Sequence, residues 1–242
     1  MTNFPQENAR NLLLRSLPAS DYALLAPHLQ PAAFGHGHVV AEANAPITSV
    51  CFPEGGVVSF SDLLQGGCRI GIGIIGFEGL TGWPVLLGCD ISPHEATVAI
   101  GGATALCIPN EALLDACSQS PALKALLLRF VQAFTIQLGR TIVSNLIDPI
   151  EQRLSRWLLM NQDRLCTDDI ALTHQQIGVM LGVRRASVTD TLHLLEGERV
   201  IRARRGCITV CDRAGLRRIA GESYGFAEAE YSRLIAPFGR DR

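Results

Sequence analysis

The 242 residues carry 21 basic and 23 acidic side chains for a net charge of −2, with 48% hydrophobic and 18% charged residues. That balance excludes a largely disordered chain, and the length allows one larger and one smaller core. The N-terminal MTNFPQENARNLLLRSLP lacks the basic start and long apolar run of a signal peptide, and Arg129, Gln132, Gln137 and Arg140 interrupt the most apolar stretch. A cytoplasmic protein without a membrane span is the expectation.

Residues 7–29 read as short helices broken at Pro18. From 31 to 109 the chain turns to short apolar runs such as HVVAEA, GVVSFSDLL, CRIGIGIIG and ATVAIGG, punctuated by Gly and Pro, the texture of a β-roll or jelly roll. Helical periodicity returns near 110. Pro121 opens a helix to about 147 with two apolar stripes, one of Leu127, Val131, Phe134, Leu138 and Ile142, the other of Leu126, Phe130 and Ala133. One stripe is expected on the β domain and the other on a second copy of the chain. In DPIE, Asp148 is read as the N-cap and Pro149 as the first residue of a new helix, which marks a hinge. The fold class is therefore α+β, with an N-terminal domain over 1–120, a dimerisation helix over 121–147 and a C-terminal domain over 148–242.

Residues 166–220 hold nine Arg against six acids, +3, while the remainder carries −5, so positive charge gathers at the C-terminal end. There, HQQIGVMLGVRRASVTDTLHLLEG has the pattern of a helix-turn-helix. Ile177 and Leu181 form the inward face of the first helix, Thr173 with Gln176 its capping box, and Gly182 its left-handed stop. Val188, Leu192 and Leu195 line the second helix. Arg184, Arg185, Ser187 and Thr189 occupy its N-terminal turns, the part that reaches base edges in a major groove. VIRARRGCITVC reads as a hairpin turning at Arg205-Gly206, a wing whose Arg202 and Arg204, with Thr173 and His174, are the candidate phosphate contacts.

Over nearly its whole length the chain resembles the Crp/Fnr transcription regulators. LTHQQIGVMLGVRRASVTDTLHLLEGERVI is similar to their recognition motif, IEQRLSRWLLM to the helix before it, and VCFPEGGVVS with GFEGLTGWPVLLG to their β-roll sensor. The resemblance implies a homodimer on inverted-repeat double-stranded DNA, acting through RNA polymerase. Arg185 matches the first member of the family's base-reading Arg-Glu-Arg set, but Ala186 and Asp190 stand at the other two positions, so the half-site should differ.

Family members that bind cyclic AMP place an Arg against the buried phosphate. No Arg lies between Ile70 and Leu128, which argues against cyclic AMP; the corresponding pocket residues would be Glu78, Gly79, Leu80 and Thr97. No other cofactor is indicated. A sensor answering to another ligand or to redox, or a roll acting through a protein partner, is the alternative. The eight cysteines, at 51, 68, 89, 107, 117, 166, 207 and 211, contain no CxxC and are read as small buried hydrophobes, with Cys207 and Cys211 of the wing as candidates for a redox effect. His36 and His38 lack a third ligand, so no metal site is expected. Gly71, Gly73 and Gly76 satisfy GxGxxG, but FEGLTGWP after them cannot open the helix a dinucleotide site needs, and the chain is not read as an enzyme.

Overall fold

The computed structural model describes residues 4–64 and 69–240; Cys68 lies outside the described residues. Two short helices, α1 (Leu12–Arg15) and α2 (Ala19–Leu25), precede the strands β1 (Gln30–Phe34), β2 (Val39–Ala41), β3 (Ala45–Pro46), β4 (Ser49–Leu63), β5 (Arg69–Ile75), β6 (Ile91–Ser92) and β7 (Glu95–Pro109). The sheet runs β1-β7-β4-β5 with β2 also on β7, and β3 pairs β6 separately. Three register shifts between β4 and β7 bend this ribbon into a roll. Helix α3 (Asn110–Gln119) leads into α4 (Pro121–Ile147).

The inner face of the roll closes on α4. Phe60 meets Phe134 at 5.3 Å between ring centroids, Trp83 meets Phe134 at 6.1 Å, and the backbone N–H of Ile74 donates to buried Gln137 Oε1 at 3.0 Å. Among the described residues, α4 is the helix long and apolar enough to cross a membrane. Burial of Leu123, Leu126, Leu127, Phe130, Val131 and Phe134 within the chain accounts for that composition.

Two expectations about this region need correction. The stripe of Leu126, Phe130 and Ala133 is not free for a second copy: all three are buried, the C-terminal helix α9 (Phe226–Leu234) returns to pack on α4, and its Tyr231, with Phe238 beyond its end, lines a small cavity together with Phe130 and Ala133. The apolar residues left exposed are instead at the end of α4, with Ile142 61%, Leu146 78% and Ile147 74% accessible. Asp148, moreover, is not an N-cap. Helix α5 (Ile150–Leu165) begins behind Pro149, whose carbonyl accepts from Gln152 and Arg153, while the Asp148 carboxylate accepts from the Ser223 hydroxyl. The more distant partner outcompetes the local cap.

A further correction concerns cysteine. Cys51 and Cys107 are directly opposed on β4 and β7 with Cα atoms 4.0 Å apart, and they form a disulfide. Cys117 is a buried thiol, as expected, whereas Cys89, Cys166 and Cys211 are exposed.

Beyond α5 come β8 (Asp169–Ile170), α6 (His174–Leu181), α7 (Arg185–Gly197), β9 (Ile201–Arg204), β10 (Cys207–Val210) and α8 (Arg213–Ala220). Leu154, Trp157, Leu158, Ile177, Leu181, Val188, Leu192 and Leu216 form their core, and Val57, Ile74 and Ile100 on the outer face of the roll join it. The two halves of the chain are therefore packed together, with α5 lying on the sheet.

Candidate nucleic-acid interface

The helix-turn-helix follows from local rules. Thr173 Oγ1 accepts from the Gln176 N–H at 3.3 Å, and Gln176 Oε1 accepts from the Thr173 N–H at 2.8 Å, so the first turn of α6 is closed reciprocally. Gly182 ends α6 at φ +63°, a conformation that a β-carbon disfavours. Gly178 permits the close turn, because a β-carbon there would sit 2.9 Å from the Val183 carbonyl oxygen. Val188, Thr191, Leu192 and Leu195 are the buried side of α7.

Arg184 stands at the N-cap of α7 and Arg185 at its first residue, both exposed beside exposed Ala186 and Asp190. Ser187 and Thr189 are half-buried. The Thr189 hydroxyl donates to the Arg185 carbonyl at 3.1 Å and lies 2.9 Å from His174 Nδ1. One candidate base reader and one candidate phosphate contact are thus joined to each other. With that hydroxyl committed, what Thr189 can offer a base edge is its methyl group.

The wing is a three-stranded sheet ordered β8-β10-β9, turning at Arg205-Gly206 with Gly206 at φ +74°. Exposed Arg202 and Arg204 alternate with Ala203, placing both guanidinium groups on one face opposite Thr209 and Cys207. Glu196 on α7 accepts from the Ala203 N–H at 2.7 Å, which fixes the wing against the recognition helix. Strand β8 escapes sequence reading because two residues, Asp169 and Ile170, carry no periodicity. Its Asp169 Oδ1 accepts from Thr209 Oγ1 at 2.6 Å.

The four candidate ligand residues do not come together. Thr97 lines a cleft of about 720 Å³ between the outer face of the sheet and α6, with His36, Ser61, Gln176, Met180 and Arg184 among the other walls. Glu78, Gly79 and Leu80 lie elsewhere, packed shut. A β-carbon on Gly79 would fall 2.4 Å from the Phe130 ring, and Leu80 is fully buried. Arg164 of α5 donates to Glu78 Oε1 from both Nε and Nη2 at 2.8 Å, while the Gly76 N–H donates to Glu78 Oε2 at 2.9 Å. Burial pushes the Glu78 carboxyl up, opposed by the Arg164 guanidinium beside it. Among the described residues no three His, Cys, Asp or Glu side chains are grouped to hold a metal. His36 Nε2 instead lies 2.9 Å from Gln176 Nε2, and His38 stacks on Phe34.

A roll, a long helix and a basic winged helix-turn-helix together define a DNA-binding transcriptional regulator. Residues 152–219 match the Crp-like helix-turn-helix domain. Solved structures with the same fold include FixK2 from Bradyrhizobium japonicum, 17% identical over 80% of this chain and 98% of that one at a TM-score of 0.70. A CRP/FNR family regulator from Thermus thermophilus is 19% identical over 79% and 98% at 0.65. A crp/fnr family protein from Eubacterium rectale is 17% identical over 86% and 97% at 0.67. No curated protein sequence matches the chain. Residues 152–219 thus carry a Crp-like helix-turn-helix domain, and the chain as a whole has the fold of the Crp/Fnr regulators it is similar to.

Proposed function

We propose that the protein is a homodimeric regulator that reads an inverted-repeat operator without cyclic AMP. The observation that carries this reading is the pair Arg184 and Arg185, both exposed at the start of α7 beside the two wing arginines. Arg185 is assigned to a guanine by a bidentate contact, with Arg184, Ser187 and Thr189 at neighbouring base edges. Thr173, His174, Arg202 and Arg204 are assigned to phosphates.

The exposed apolar end of α4, with Ile142, Val143, Leu146 and Ile147, supports pairing of two copies along that helix. Against cyclic AMP stand the aromatic filling of the roll by Phe60, Trp83 and Phe134 and the Arg164 side chain already bound to Glu78. The family points to action in the cytoplasm through RNA polymerase and to no enzymatic role.

Selection of bound sequences from a random duplex pool by the purified protein tests the reading. An enriched inverted repeat supports a dimeric reader, and an enriched single half-site argues for a monomer. Absence of enrichment under every nucleotide and oxidant tried counts against DNA reading and favours a roll that acts through a protein partner.

A further inference from the structure

The segment from Gly221 to Arg240 plays no part in the DNA and dimer assignments, yet it ties together α4, α5 and the roll, the elements that carry the helix-turn-helix. At α4, the Arg140 guanidinium lies 4.5 Å over the Phe226 ring and donates to the Glu222 carbonyl at 3.3 Å. At α5, the Tyr224 hydroxyl donates to Asp163 Oδ2 at 2.6 Å, and Arg156 Nε donates to the Ser223 carbonyl at 3.0 Å. At the roll, the Tyr231 hydroxyl donates to the Glu78 carbonyl at 2.5 Å, and Phe238 packs edge-on against Phe77 at 6.1 Å. The Arg164 guanidinium, already on Glu78, lies 5.2 Å from the Phe238 ring. Arg240 closes the segment on Asp163 and Asp168.

On the other side of α5 the helix-turn-helix is docked on the roll. Met180 of α6 presses on β5, where a β-carbon at Gly71 would be 2.4 Å from its Cε, and Gln176 reaches His36. Arg184 looks into the cleft between the two halves, and its volume of about 720 Å³ is on the scale of a small organic molecule. Arg184 is exposed at the N-cap of α7 and also forms one wall of this cleft, so a duplex that received it in a major groove would be brought up against the roll.

We propose that residues 221–240 form a clasp that holds the winged helix-turn-helix docked on the roll, and that operator binding requires the clasp to open. The proposal rests on the DNA-reading assignment above. Its geometry is a single junction where the turn after β5 supplies Glu78, α5 supplies Arg164 and α9 supplies Tyr231. Loss of any one loosens the hold of the other two.

The test compares the full chain with Tyr231→Phe, which removes one hydroxyl, and with Glu78→Gln, which keeps the shape but leaves the Arg164 guanidinium buried without its counter-charge. Exchange in Glu78→Gln is therefore read against exchange in β4 as the measure of overall stability. Hydrogen exchange is followed at residues 69–75 and 174–181, the docking face, and affinity is measured for the duplex selected from the random pool. Exchange at both segments should quicken and the duplex should bind about tenfold tighter, within the usual range of coupling between sites. Unchanged exchange at the docking face in both folded variants overturns the clasp. Faster exchange with equal or weaker duplex binding overturns the requirement for opening. Should no form bind any duplex while exchange still quickens, the DNA-reading assignment is what fails, and the clasp stands as the element that holds the two halves together.

Discussion

Arg164 and Glu78 are 86 positions apart and form an ion pair at 2.8 Å whose side chains are 2% and 3% exposed. A pair so deep is costly to strip of water, and the attraction between the two charges offsets that cost only while both remain. Arg164→Ala should therefore destabilise the fold by about 3–5 kcal/mol, because a carboxylate is left buried without its partner. Replacing both residues with Met should cost much less than the sum of the two single changes. Urea unfolding of the two single variants and the double variant checks this, and additive losses would show that the residues act independently.

Two glycines separate close packing from backbone freedom. Gly79→Ala drives a β-carbon into Phe130 and to 2.7 Å from Ile75, and overpacking of this kind costs about 1–3 kcal/mol. Gly197 lies in α7 with nothing within 4 Å of an added β-carbon, so Gly197→Ala should stabilise by about 0.4–1 kcal/mol through the unfolded state. Thermal melts of the two variants should move in opposite directions.

The Asp168 carboxyl is held below its ordinary value by hydrogen bonds from Gln162 and Arg240. A depressed acid stabilises the docked state above its unfolded pKa, and that contribution is lost as the pH falls through the lowered folded value. Seating of Arg240 should then persist through neutral and mildly acidic pH and weaken only below the usual carboxylate range. A carboxyl titration by NMR reads this directly, and Arg240→Ala should move the Asp168 midpoint upward.

The parts of this molecule that were legible in sequence are those set by neighbours within a few positions. Thr173 with Gln176, Gly182, and the spacing of Ile177, Leu181, Val188 and Leu192 each act within one helix or turn, and the helix-turn-helix follows from them. The Cys51–Cys107 bond spans 56 positions and depends on the register of two bent strands, which local pattern does not encode. The stripe of Leu126, Phe130 and Ala133 was visible as apolar, but its partner was not, because α9 arrives from about 100 positions downstream. Glu78 is legible as a candidate pocket residue, but the Arg164 that claims it lies 86 positions away, beyond the reach of local pattern.

Base reading and phosphate gripping should part under mutation. Arg185→Ala is expected to weaken operator binding by about 1–3 kcal/mol and to relax one base position, whereas Arg202→Ala should weaken all duplexes alike and reduce the salt dependence by about one ion. A base-preference profile unchanged by Arg185→Ala would remove that residue from the groove.

The exposed end of α4 gives the proposed dimer its own test. Leu146 is 78% accessible and Ile142 61%, one turn apart on a helix whose opposite side is buried in the roll and under α9. Water contact with such a row is relieved when a second α4 covers it, and an acidic side chain there faces its own symmetry mate. Leu146→Asp should leave the fold and melting temperature of the protomer nearly unchanged while shifting sedimentation from dimer to monomer. Because two half-sites held by one dimer bind far more tightly than either alone, operator affinity should fall by about a hundredfold or more. A variant that still sediments as a dimer would place the contact between copies on another surface.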